Sequence, residues 1–207
     1  MHSDADAELR RTLAAHARSF YLNDWMVGTS GNVSARQGDS SFWITASGRS
    51  KGELAESDFL EVGLDGGVLH RFAPSDKPSA ETVIHRALYS IVPETRAIYH
   101  VHSVEGNLVS GWAEGGSLVL PPLEMIKGFD IWEQDPLVPI PVLRNHLEVP
   151  RIAEEIRNLF TVGPPRIPVL VIENHGVTVW ARNPTAARNY IELIEYIFRY
   201  MAMRGRL

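Results

Sequence analysis

The chain has 207 residues, 44% of them hydrophobic and 22% charged, which suits one domain with a substantial core and argues against extended disorder. Its net charge of −5 argues against a protein that grips nucleic acid or an anionic membrane through a general basic field, while leaving room for a local pocket around one phosphate. There is no cysteine, so disulfides and thiolate chemistry are excluded, and any metal must be held by imidazole, carboxylate or backbone oxygen.

No repeat or linker divides the sequence, and residues 1–207 are expected to form a single domain. The opening MHSDADAELRR lacks the apolar core of a signal peptide, and no run approaches the roughly 18 apolar residues of a membrane span, so a cytoplasmic setting is expected. Leu9, Leu13, Ala17 and Phe20 recur at helical spacing and predict an amphipathic first helix. Between residues 28 and 62 the short runs NVSAR, SFWITA and DFLEVGL, separated by Gly, Ser and Asp, predict strands. Residues 80–91 predict a helix that stops near Pro93, AIYHVHS a strand, and the segment from Val104 another helix. LVPIPVL predicts a strand whose two prolines favour a sheet edge or a bulge. Residues 149–160 are helical in pattern, VLVIEN and GVTVW predict two strands interrupted at 174–176, and Asn183 with Pro184 opens a final helix. Helices flanking a sheet with short hairpin-like connections predict a layered α/β domain around a mixed sheet.

The chemistry-bearing residues are histidines. His100 and His102 stand two apart in a predicted strand, so their side chains share a face and can converge on one ion. His175 lies in ENHG between two strands, where Gly176 is expected to let the backbone turn sharply. Three neutral imidazoles with an open fourth position suit a catalytic zinc ion, and suit iron, cobalt or manganese as well. His2, His16, His70 and His146 carry no such pattern; His85, one helical turn after Glu81, is placed either to buttress that carboxylate or in an ordinary helix pair.

Two small-residue stretches, GTSGN at 28–32 and TASGRSKG at 45–52, offer backbone N–H groups and the side chains of Ser30, Asn32, Thr45 and Ser47 to an anion; Ser79 in KPSAE does the same at a helix start. Each is equally a hairpin turn or an N-cap, and neither glycine run has the spacing of a nucleotide-binding loop. Glu81 reads as a first-turn helix residue favoured by the dipole. Glu124, in PPLEMIKG, is either an acid–base group in partly apolar surroundings or half of a surface pair with Lys127.

In order and spacing, GTSGN, ITASG, KPSAE, HVH and ENHG resemble the class II aldolase/adducin-like family from about residue 25 to the final helix. The resemblance implies a layered α/β/α fold with a mixed, largely antiparallel central sheet. It implies a metal held by His100, His102 and His175, zinc being expected, and phosphate binding at Ser30, Asn32, Ser47, Gly48 and Ser79. LEMIKGFDIWE and the following LVPIPVLRN are similar to the family's dehydratase branch, which implies Glu124 as acid–base residue and a phosphorylated ketose as substrate. In the aldolase branch the glutamate matching Glu81 is metal ligand and base, so Glu81 stays a second catalytic candidate. The alternatives are an aldolase or epimerase, or an adducin-like interaction domain. Relatives of this kind imply a homotetramer with sites near subunit interfaces, and no nucleic-acid or membrane partner.

Overall fold

The computed structural model describes residues 4–36 and 38–205. Among the described residues nine strands form one open sheet: β1 (Asn32–Ala35), β2 (Ser41–Thr45), β3 (Phe59–Gly63), β4 (Val68–His70), β5 (Ala97–Val101), β6 (Ser117–Leu120), β7 (Val138–Leu143), β8 (Val169–Ile172) and β9 (Gly176–Ala181). Their spatial order is β4-β3-β2-β1-β5-β9-β8-β7-β6. Every neighbouring pair is antiparallel except β7 with β8, so the sheet is mixed and largely antiparallel as the sequence implied. The helices α1 (Asp4–Leu22), α2 (Thr82–Ile91), α3 (Val104–Ser110), α4 (Val149–Val162) and α5 (Pro184–Arg204) cover it.

The two-residue period of the strands sorts side chains into two layers. Ala97, Tyr99 and Val101 of β5 join Leu13 and Phe20 of α1 and Ile191, Ile194 and Phe198 of α5 in one core. Ile98, between them, turns to the other face with Ile84 and Leu88 of α2 and Ile152 and Ile156 of α4. His100 follows Ile98 by two residues, so it faces the α2 side. That parity decides where the site lies.

Two strands, β4 and β6, carry too few alternating residues to be read from sequence, and β6 alters the place of β7. With Pro139 and Pro141 the β7 segment was expected at an edge or a bulge; it is second from the edge, covered by β6. The prolines are tolerated because 138–141 pair only with β6, while pairing with β8 involves Val142 and Leu143. That half of the strand therefore has one side on which no ladder donor is required. Asn183 caps α5 as expected, its side chain accepting from the Ala186 N–H at 2.8 Å. Among the described residues no helix is long and apolar enough to cross a membrane.

Candidate active site

Asn32 on β1 pairs across the sheet with His100 on β5, and His100 with Thr178 on β9, giving a row of three polar side chains on the face under α2. His100 is 1% exposed, and its Nδ1 lies 2.9 Å from the Thr178 hydroxyl. With Nδ1–H donating to threonine, the Nε2 lone pair faces the site. His102 lies just beyond β5, its backbone N–H donating to the Trp25 carbonyl at 2.8 Å. His175 enters from the β8–β9 turn, where Asn174 adopts a left-handed φ of 51° and its N–H donates to Ser110 Oγ.

Glu81 completes the cluster from the start of α2. It occupies the N-cap position, but its side chain makes no cap hydrogen bond, so helix capping does not account for it. Its Oε1 lies 2.7 Å from His175 Nε2, 3.6 Å from His100 Nε2 and 4.0 Å from His102 Nε2. The Nε2 atoms of His100 and His102 face one another at 2.8 Å. One donor atom from each of the four residues falls within 4.8 Å of all the others. A tetrahedral ion with bonds of about 2 Å separates its donors by roughly 3.3 Å, inside the span of these distances.

The electrostatics suit a cation. Burial lowers the pKa of His100 to about 4, against the pull of the nearby Glu81 charge. Burial also lowers His102, to about 3, with His100 adding to the effect. Both are therefore neutral near pH 7, with lone pairs to offer. Burial would push the Glu81 carboxyl up, but His100, the hydrogen-bonded His175 and His102 outweigh it and hold the group below the ordinary carboxylate range. Three imidazole nitrogens and one carboxylate, with no thiolate, form a donor set for a divalent ion.

The three anion-cradle stretches, ambiguous one at a time, converge beside this cluster. Asn32 Nδ2 donates to Glu81 Oε2 and lies 3.4 Å from Ser79 Oγ. The Ser47 N–H donates to the Lys77 carbonyl at 2.9 Å, which draws the loop of Ser47 and Gly48 against the KPSAE segment. Ser79 Oγ accepts from the Glu81 N–H, one residue ahead of α2. Ser30 is half-buried, its hydroxyl donating to Val27 O, and Gly48 has φ +74° with open space where a Cβ would stand. Thr45 turns inward, accepting from the Val33 N–H, and so differs from its expected place in the cradle.

Lys51 and Thr178 were not singled out in the sequence. Lys51 is 2% exposed, and its ammonium donates to Thr29 O at 2.7 Å and Arg49 O at 2.9 Å, tying the two loops together. Burial lowers it to about 8, the Glu81 charge opposing. A lysine inside TASGRSKG was the available signal; Thr178 has none, because it depends on the β5–β9 register.

Glu124 stands apart from these groups. It begins a 3₁₀ turn, Glu124–Phe129, after the edge strand β6; its side chain is 80% exposed and pairs with Lys127 at 2.7 Å. Of the two surroundings open to it, the single chain has the surface pair with Lys127 and not the partly apolar one. Four strand spacings separate β6 from β5, a lateral distance of about 19 Å. The other histidines take structural partners: His16 meets Tyr99, and His146 meets Glu155. His70 packs edge-on to Trp43 and Phe72, and His2 lies outside the described residues.

A histidine–carboxylate cluster set on this sheet defines the class. The Class II Aldolase and Adducin N-terminal domain family matches residues 11–202, and the chain belongs to that family. It is 54% identical to the methylthioribulose-1-phosphate dehydratase of Microcystis aeruginosa, over 93% of this chain and 94% of that one. It is 43% identical to the protein of the same name from Leptospira biflexa, over 89% and 92%. Among solved structures it superposes on YgbL of Escherichia coli (TM-score 0.83, 23% identity, 98% and 92% covered) and on an L-fuculose 1-phosphate aldolase of Thermus thermophilus (TM-score 0.72, 22% identity, 94% of each chain). These last two likenesses show the fold.

Proposed function

We propose that this chain dehydrates 5-methylthioribulose 1-phosphate to 2,3-diketo-5-methylthiopentyl 1-phosphate, in cytoplasmic methionine salvage, with residues 1–207 acting as one catalytic domain. The observation that carries this reading is the meeting of His100, His102, His175 and Glu81 beside the loops of Ser30, Asn32, Ser47, Gly48 and Ser79. The relatives at 54% and 43% identity supply the substrate.

His100, His102 and His175 would hold a divalent ion, zinc being the proposed one, with Glu81 as fourth donor or neighbouring base. The ion supplies Lewis-acid polarisation of the substrate's carbon-2 carbonyl, which acidifies the proton on carbon 3. The chain's own groups do the rest. Donors from the three loops, with the Lys51 charge behind them, bind the phosphate and fix the sugar's direction. A carboxylate, Glu124 or Glu81, takes the carbon-3 proton. A protonated carboxyl then delivers a proton to the carbon-4 hydroxyl, which leaves as water, and the enol moves its hydroxyl proton to carbon 4 to give the diketone.

Because Glu124 is exposed beyond the sheet edge, the proposal places it in the site of a neighbouring copy within a homotetramer. Trp132, which lines the same hollow as Glu124 and is largely exposed, supports a covered surface there. The test is to incubate purified protein with the phosphorylated ketose and follow the diketone and the loss of one water by mass. Cleavage between carbons 3 and 4 instead would make the chain an aldolase.

A further inference from the structure

The start of α2 and strand β1 interleave their polar side chains behind the site. Glu81, His85 and Tyr89 recur every four residues along the helix, about 6 Å apart, while Asn32 and Ser34 recur every two along the strand, about 6.7 Å apart. The near-equal pitch lets the two rows mesh into one chain of contacts. Asn32 touches Glu81 Oε2; His85 Nε2 is 2.5 Å from Asn32 Oδ1; His85 Nδ1 is 2.7 Å from Ser34 Oγ; Ser34 Oγ is 2.8 Å from the Tyr89 hydroxyl. His85 and Ser34 are fully buried and Tyr89 is 1% exposed.

Each link constrains the next. A carboxylate oxygen only accepts, so Asn32 presents its NH₂ to Glu81 and its carbonyl to His85. That carbonyl needs a donor, so His85 carries its proton on Nε2. Its Nδ1 then accepts, and the donor within reach is the Ser34 hydroxyl. With that proton committed, Ser34 accepts from Tyr89. The contact from Ser34 to the Ile98 carbonyl, at 3.5 Å, is too long to compete. Burial supports the assignment: it pushes His85 down to about 4, leaving one ring proton, and pushes the Tyr89 phenol up, keeping its hydrogen.

We propose that Tyr89, Ser34, His85 and Asn32 form a one-way hydrogen-bond chain aimed at Glu81, and that His85 is the positioning residue that fixes the Asn32 amide and through it the Glu81 carboxylate. The importance of that carboxylate rests on the function proposed above; the direction of the chain does not. Nitrogen NMR of the wild-type protein should find His85 with its proton on Nε2 and a bare Nδ1. A proton on Nδ1, or a doubly protonated ring, overturns the chain. His85→Leu should weaken metal binding, read by chelator competition, and lower kcat, each by about tenfold. His85→Gln, which keeps a donor near the Nε2 position, should recover most of both. A folded His85→Leu protein with wild-type metal affinity and kcat overturns the positioning role. If His85→Leu does not fold, Tyr89→Phe, which removes only the far donor, should still shift the Ser34-facing Nδ1 resonance; an unmoved resonance sinks the proposal. Should the wild type fail to act on the ketose while these shifts hold, the functional reading falls and the chain stands.

Discussion

Gly176 lies against Val101 so closely that a Cβ on it would fall 2.2 Å from the Val101 carbonyl oxygen and 2.9 Å from His102 Cδ2. The contact joins the first residue of β9 to the end of β5, in the register that sets Val101 opposite Val177. Gly176→Ala must therefore part these strands where two of the three site histidines leave them. A loss of about 1–3 kcal/mol is expected from the overlap. Metal retention should fall with it, because His102 and His175 move apart. Thermal melts and metal content of the purified variant check both; an unchanged melting temperature with full metal would show that the backbone relaxes without loss.

The same pair shows what the sequence made legible. Gly176 was singled out, but for a sharp turn; the left-handed residue in that turn is Asn174, and the glycine is required by close approach. Local signals carried well. The two-residue spacing of His100 and His102 brings their Nε2 atoms to 2.8 Å although His102 lies just beyond β5, and the Asn183 cap was legible because its partner is three residues away. What was hidden depended on register between distant segments: Thr178 beside His100, Asn32 beside Glu81, and β6 outside β7. The four-residue offset of Glu81 and His85 was visible, but only the fold shows that Asn32 lies between them.

Removing the metal should cost stability. A ligand that binds only the folded state at 100 times its dissociation constant adds about 2.7 kcal/mol, so chelator-treated protein should melt several degrees lower and recover on adding a divalent ion. His100→Ala and His102→Ala should each remove most of the ion and abolish turnover while circular dichroism stays near that of the wild type. Full metal occupancy in the double variant would refute the assignment.

Lys51 should matter to substrates that carry a phosphate. Its buried ammonium ties the Thr29 and Arg49 carbonyls, and no carboxylate forms an ion pair with it among the described residues. Lys51→Met is expected to raise KM for the phosphorylated ketose by at least about tenfold, as a charged hydrogen bond is typically worth 1.5–3 kcal/mol. Asn32→Ala with Ser79→Ala should act in the same direction, with some loss of kcat because a misplaced substrate reacts slowly. Equal losses for phosphorylated and dephosphorylated ketose would assign Lys51 to loop structure alone.

Glu195, on α5, is 2% exposed, and burial raises its carboxyl to about 8, with Ser103 opposing and the Glu105 charge adding to the rise. Unfolded, the group ionises near 4.5. Between those values the folded state keeps a proton that the unfolded state has released, so this group's contribution to stability is fully present below the lower value and is lost as pH rises through about 8. Glu195→Gln keeps the neutral shape without the titration. It should be more stable than the wild type at pH 8 and nearly equal at pH 4.5, as read by denaturant melts at both. A parallel pH dependence in the two proteins would contradict this.

The choice of acid–base group rests on Glu124 and Glu81, which the single chain keeps apart. Expelling hydroxide from carbon 4 is slow without a proton donor, and such assistance is worth about 10²–10⁴-fold. Glu124→Gln preserves shape and should lower turnover by at least about 100-fold with normal metal content, since it takes no part in the histidine cluster. Glu81→Gln should instead disturb both metal and turnover, because Oε1 lies 2.7 Å from His175 and Oε2 accepts from Asn32. If Glu124 comes from a neighbouring copy, two inactive proteins should repair one another. Mixed assemblies of His100→Ala and Glu124→Gln chains contain sites that combine intact histidines from one copy with intact Glu124 from the other. Activity regained on co-assembly, absent when each variant is assembled alone, would establish the shared site. No regain, with both variants folded and co-assembled, would return Glu124 to its own chain or remove it from the chemistry. A mild effect of Glu124→Gln alongside a crippling one of Glu81→Gln would favour the aldolase-type base, and the diketone assay on the same proteins then decides which bond is broken.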